Sequence, residues 1–363
     1  MAIKHADEYR APEAAQALVA EIHALSRTPV RIMEVCGTHT VALFRSGVRD
    51  MLPPTISLLS GPGCPVCVTA QGEIDAFIEL ARIPEVTIAT FGDLIRVPGS
   101  ASSLQQERAA GRDIRMVYST MDAIALARKN PDRQVVFLGV GFETTAPPIA
   151  ASVLAAQAEG IGNFSVYSAH KLVPPAMAVL LGIDKMAVDG FLLPGHVSVI
   201  IGVDAYRPLF SASRVPMVVG GFEPTDLLWA LLMLIRQIEN DTPALENAYP
   251  RAVASGGNAK ARQVMDLVFT PADALWRGIG SIPNSGLVFR DAHAAFDAAR
   301  KFSVAVGDAP EPPGCACGEI LTGLKIPPEC ALYRKRCTPT RPIGPCMVSS
   351  EGTCAAYYRY HQS

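Results

Sequence analysis

Charge is scarce in this sequence. Only 18% of its 363 residues are Asp, Glu, Lys or Arg, and they nearly cancel to a net charge of -2. So even a balance gives no reason to expect nucleic acid or an anionic membrane surface as a partner. Long apolar runs are missing as well. The longest, Leu227 to Ile235, falls far short of the about 20 residues that a bilayer-spanning helix needs. The N-terminal Met-Ala-Ile-Lys-His-Ala-Asp-Glu is polar and lacks the apolar stretch of a secretory signal. A soluble, cytoplasmic protein is expected. Cysteine is absent between residues 68 and 314.

What is present then stands out. Hydrophobic residues make up 49% of the chain, enough for two or three compact cores at this length. Nine cysteines fall into two groups, three before residue 70 and six after residue 314. In a reducing compartment they are not a structural disulfide framework. The grouping points to two chemical sites held by the scaffold between them.

Residues 11–26 place Ala15, Leu18, Ile22 and Leu25 at helical spacing. Short β-branched runs follow at Val30–Val35, Ile56–Leu59, Val86–Thr90 and Ile114–Tyr118, and again at Val135–Val140, Phe164–Tyr167, Gly190–Leu193 and Val215–Val219. Each leads through a Gly/Thr/Ser loop into a helical pattern, the signature of βαβ units and parallel sheet. The fold class is α/β: two similar parallel-sheet domains in tandem plus a small, loop-rich C-terminal lobe. The expected divisions are a lead-in helix over 1–29, a first domain over 30–131, a second over 132–240 and a C-terminal domain over 241–363, with a boundary near Asn130-Pro-Asp132. Phe222–Asn240 reads as a long apolar helix packed between domains, and Ala292–Phe302 as a helix in a mixed region.

In open α/β sheets ligands bind beyond the carboxyl ends of the strands, and there the distinctive loops lie. Cys36-Gly-Thr-His-Thr40 places a thiol at the start of a helix, where the positive helix end favours thiolate. His39 is beside it. Gly61-Pro-Gly-Cys-Pro-Val-Cys67 carries a Cys-x-x-Cys pair suited to a reversible disulfide or half of a metal site, and its glycines admit close approach of another backbone. Gly139-Val-Gly141 is no dinucleotide fingerprint, because Thr144 fills the third glycine position; no Walker-type loop exists either. Glu143, Thr144 and Thr145 instead offer a carboxylate and hydroxyls to the same crevice. His196, in Pro194-Gly-His-Val197, is the histidine favoured for proton transfer or metal binding, ahead of His170. His5, His293 and His361 are read as incidental.

The tail reads Cys315-x-Cys317, then Cys330, Cys337, Cys346 and Cys354 among many prolines. Four such thiolates can wrap an iron–sulfur cluster; zinc is the alternative, although structural zinc favours closer cysteine pairs. Cys315 and Cys317 are left as spare ligands or a redox pair.

These motifs, with Gly344-Pro-Cys-Met-Val-Ser-Ser-Glu-Gly352, together resemble the HypD family of [NiFe]-hydrogenase maturation factors, over about residues 30–358. The resemblance implies two related α/β domains and a third carrying a [4Fe-4S] cluster. It implies a scaffold on which the Fe(CN)2CO group is assembled, with iron held between Cys36 and a thiolate of a HypC-like small chaperone, and His39 close by. Cys64 and Cys67 match a redox-active pair, Cys330, Cys337, Cys346 and Cys354 match cluster ligands, and a HypE-like partner would deliver cyanide. His196 and Glu143 would shape the pocket. One departure is visible: relatives often have proline where this chain has Ala70. A competing class is a stand-alone iron–sulfur thiol/disulfide oxidoreductase working through Cys64/Cys67; a zinc-stabilised binding module is a third.

Overall fold

The computed structural model describes residues 7–183, 187–307 and 309–361; His5 lies outside them. Strands form where the β-branched runs predict: β1 Val30–Glu34, β2 Ile56–Ser60, β3 Val86–Thr90, β4 Ile114–Met116, β5 Gln134–Gly139, β6 Phe164–Ser168, β7 Gly190–Pro194 and β8 Met217–Gly220. A short β9, Leu245–Asn247, and the pair β10 Phe269–Trp276 and β11 Gly280–Phe289 complete the set.

The class is α/β with two parallel sheets, as expected, but the strands are shared out differently. The five-stranded sheet runs β2-β1-β7-β8-β9 and the four-stranded sheet β4-β3-β5-β6, every pairing parallel. The second sheet is therefore inserted between β2 and β7 of the first, and a cut at 131/132 passes through it. The physical reason is that parallel partners are joined by long crossovers, so nothing in the local sequence says which strand lies beside which. Ile32 of β1 pairs with Gly190 of β7, 158 residues away in the chain.

The region 241–363 is not one unit either. β9 extends the five-stranded sheet. Val268, Phe269, Leu287 and Phe289, from β10, β11 and the residue before them, pack into the core of the four-stranded sheet with Phe137, Val153 and Phe164. The helix expected over 292–302 is split into a 3-10 turn, Asp291–Phe296, and a short helix, Ala298–Phe302.

Strands buried on both faces read as continuous apolar runs, and β1 shows the alternation. Val30 and Ile32 face the helices Pro12–Leu25 and Pro224–Glu239. Met33 faces the opposite side, whose core includes Cys64, Cys67, Cys317 and Cys346. The apolar helix Pro224–Glu239 thus covers one face of the five-stranded sheet and is not an interdomain spacer. The cysteine-rich tail closes the other face.

Candidate functional site

The loops after β1 and β2 converge. Gly37 N–H donates to Gly63 O at 2.8 Å, and a Cβ on Gly63 would lie 2.2 Å from the backbone nitrogen of Cys36. Only glycine permits that approach. Beside the junction is a cavity of about 180 Å3 lined by Cys36, Thr38, Thr144, Thr145, His196 and Glu351, among others. Its walls come from the carboxyl ends of β1, β2 and β7 of one sheet and β5 of the other, and from the tail.

Cys36 is the sole thiol on that wall. It stands at the N-cap of the helix Gly37–Arg45, as its motif predicts, but its protonation is the reverse of the expectation. Burial, with the Glu351 carboxylate next, pushes the thiol up to about 12, outweighing the backbone N–H groups of His39 and Thr38. Desolvation defeats the helix end. Cys36 is held as a neutral thiol that must lose its proton to whatever binds it.

Glu351 is the residue the sequence reading passed over, although it lies inside the quoted Gly344–Gly352 motif. Its Oε1 accepts from Thr38 Oγ1 at 2.6 Å, and burial raises its pKa. Thr145 donates to Phe142 O at 3.0 Å. His196 sits exposed at the rim, its ring stacked on Phe222 at 3.9 Å; partial burial lowers its pKa.

Two expected members are set back from the cavity. His39 is buried against Phe222, ring centroids 4.7 Å apart, with Nε2 bonded to Gly221 O at 3.0 Å. Burial lowers it to about 4, so it is a neutral core histidine packed on the same ring that His196 stacks on. Glu143 is buried, accepts from Val173 N–H at 2.9 Å through Oε1, and has Oε2 without a partner. Burial raises it to about 7. His170 is buried against Phe269 under the hairpin.

Behind Cys36 lies the dithiol pair. Cys64 caps the single-turn helix Pro65–Val68, its Sγ accepting from Cys67 N–H at 3.3 Å. Both thiols are inaccessible, Cys64 at 4% and Cys67 at 0% exposure. Burial raises the Cys67 thiol well above its usual range, and its thiol neighbours include Cys346, Cys64 and Cys317. Cys346 in turn meets Cys317, Sγ to Sγ 3.0 Å.

All six tail cysteines line one small cavity: Cys315, Cys317, Cys330, Cys337, Cys346 and Cys354. Among the described residues no three His, Cys, Asp or Glu side chains are gathered closely enough to hold a single metal ion. The thiols surround a space instead of a point. The thiol neighbours of Cys354 include Cys337, Cys315 and Cys330, Cys317 and Cys346 contact each other, and Cys315 also meets Cys317.

The HypD family model, described as the Hydrogenase formation hypA family, matches residues 13–361. The chain belongs to the HypD family. Hydrogenase maturation factor HypD of Rhodobacter capsulatus is 47% identical over 370 residues, which cover 99% of this chain and 98% of the relative. That of Azotobacter vinelandii is 46% identical over 367 residues, covering 99% and 97%, and that of Escherichia coli strain K12 is 44% identical over 368 residues, covering 99% of both. As a HypD-family chain, the protein is a hydrogenase maturation factor. No helix among the described residues is long and apolar enough to cross a membrane.

Proposed function

We propose that this maturation factor is the scaffold on which the Fe(CN)2CO group of [NiFe]-hydrogenase is assembled. The observation that carries the reading is the cavity with one thiol, Cys36, on a wall of threonine hydroxyls, His196 and Glu351. Low-spin iron bearing cyanide and carbon monoxide is a soft cargo suited to thiolate. A lone thiol leaves the remaining coordination to be supplied from outside, by a thiol of a HypC-like small chaperone, with a HypE-like partner delivering cyanide. Because Cys36 rests protonated, iron capture releases a proton, and Glu351 with Thr38 stands beside it.

The geometry suggests a revised division of labour in the tail. Cys315, Cys330, Cys337 and Cys354 would hold a [4Fe-4S] cluster, in place of a set that counts Cys346, a reading supported by the neighbours of Cys354 and by the approach of Cys346 to Cys67. The donors fit such a group: thiols in an almost wholly apolar lining. The cluster would supply electrons singly. Cys317 and Cys346 then form a second dithiol between it and Cys64/Cys67. Exchange follows from the contacts. Cys346, giving up its proton, attacks Cys67 of a Cys64–Cys67 disulfide, and the departing Cys64 thiolate, beside the Cys67 N–H, takes that proton up. Cys317 then attacks Cys346, closing Cys317–Cys346, and its proton passes to the departing Cys67 thiolate. No net electrons are needed for that step.

Burial of Cys64 and Cys67 disfavours a stand-alone oxidoreductase acting on protein disulfides, because no macromolecular substrate reaches them. Two measurements test the reading. Anaerobically purified protein should contain about four irons and four sulfides per chain, and one zinc would contradict it. Iron together with the thiol-bearing chaperone should protect Cys36 from alkylation; unchanged labelling would remove Cys36 from the site.

A further inference from the structure

The hairpin β10–β11 ends in the turn Arg277-Gly278-Ile279, and this turn touches the neighbours of both thiol pairs. On one side the Arg277 N–H donates to Val68 O at 2.9 Å, and Trp276 forms an antiparallel bridge with Thr69. The Arg277 side chain, in a residue only 1% exposed, donates through Nε to Thr69 O at 2.9 Å and through both Nη atoms to Gln71 Oε1 at 3.1 Å. Nη1 also meets Glu311 Oε2 at 2.6 Å. Val68, Thr69 and Gln71 directly follow Cys67 in the chain. On the other side Gly278 has φ 71°, and a Cβ there would lie 2.1 Å from Gly318 Cα. Gly318 follows Cys317.

A buried guanidinium is costly unless its donors are met. Here a planar fork matches one backbone carbonyl and one amide oxygen, which the point charge of a lysine cannot span. The Glu311 carboxylate answers the charge, and the remaining donors fix where the Cys67 segment lies relative to the hairpin, while the glycine turn fixes where the Cys317 segment lies. We propose that Arg277 is a positioning residue that sets the spacing between Cys64/Cys67 and Cys317/Cys346, so that Cys346 meets Cys67. This rests on the exchange path described above.

The test uses the full chain carrying Cys64→Ser and Cys317→Ser, with diamide added anaerobically. Cys67 and Cys346 lose two protons and two electrons to the azo group, which becomes a hydrazine, and one disulfide forms. Peptide mass spectrometry measures its yield. Arg277→Gln and Arg277→Lys should each lower the initial rate about tenfold or more, since misplacing reacting atoms by about an ångström costs up to about a hundredfold. Gln71→Ala, which removes one acceptor and leaves the hairpin intact, should lower it several-fold. An unchanged rate in Arg277→Gln with an unchanged Tm overturns the proposal. So does restoration of the rate by lysine, which would make the effect one of charge alone. Should Arg277→Gln fail to fold, Gln71→Ala decides, and an unchanged rate there overturns it. Absence of the Cys67–Cys346 disulfide with Arg277 intact overturns the exchange path instead.

Discussion

Cys36 shows how burial overrides a local signal. Its motif and its N-cap position are legible in the sequence, but the carboxylate of Glu351, more than 300 residues away, is not. With the thiol pushed up to about 12, Cys36 in the protein alone should react slowly with iodoacetamide at neutral pH. Glu351→Gln removes a charge that raises the thiol pKa, so alkylation followed by mass spectrometry should be several-fold faster in that variant; a slower reaction would contradict the assignment. Two buried carboxyls give a pH dependence. Burial raises Glu34, which accepts from Thr40 at 2.8 Å and Ser60 at 2.7 Å, to about 8, and Glu143 to about 7, both from 4.5. The native state keeps protons that the unfolded chain has already lost, so stability falls as pH rises through this window. His39, lowered to about 4 from 6.5, acts with the opposite sign, losing stability as pH falls below 6.5. Between about pH 6.5 and 8 the carboxyls dominate this pair of effects. The Tm should decline there, and Glu34→Gln should flatten the decline; an unchanged slope would show that Glu34 titrates normally.

Elements with strong local patterning are legible in the sequence, and those that depend on distant partners are not. β3 Val86–Thr90 coincides with its apolar run. The hairpin has no strand signal in the sequence because Pro271, Asp273 and Pro283 interrupt its strands and Ala272, Ala274 and Leu275 resemble helix. β9, three half-buried residues, carries no signal of its own. The Ala70 departure acquires a physical reason: its N–H donates to Glu73 Oε2 at 2.9 Å, a bond that proline cannot make. The other oxygen of Glu73 accepts from the buried Lys171 at 2.6 Å. The helix Pro224–Glu239 buries Leu227, Leu228, Leu231 and Leu234 against the five-stranded sheet. Leu231→Ala should therefore cost about 2–5 kcal/mol, read as a lower urea midpoint; a loss below about 0.5 kcal/mol, as at the surface, would contradict this packing.

At the scale of the molecule, nesting one sheet inside the other brings the site together. The Cys36 cavity needs β1, β2 and β7 from one sheet, β5 from the other, and Glu351 from the tail, so no contiguous stretch contains it. Residues 30–131 expressed alone would hold β1 and β2 without β7, and β3 and β4 without β5. That fragment should be unfolded by circular dichroism and amide exchange; a cooperative thermal transition would contradict the nested topology. The motifs show where the thiols lie in the sequence, whereas the approach of Cys346 of the tail to Cys67 joins distant parts of the chain and has no local signal. The central claim is that Cys36 anchors the iron. Its most direct test is the infrared spectrum of the full chain co-purified anaerobically with its small thiol-bearing partner. Cys36→Ala should abolish the bands of iron-bound cyanide and carbon monoxide while leaving the fold and the tail intact; full retention of those bands would contradict it.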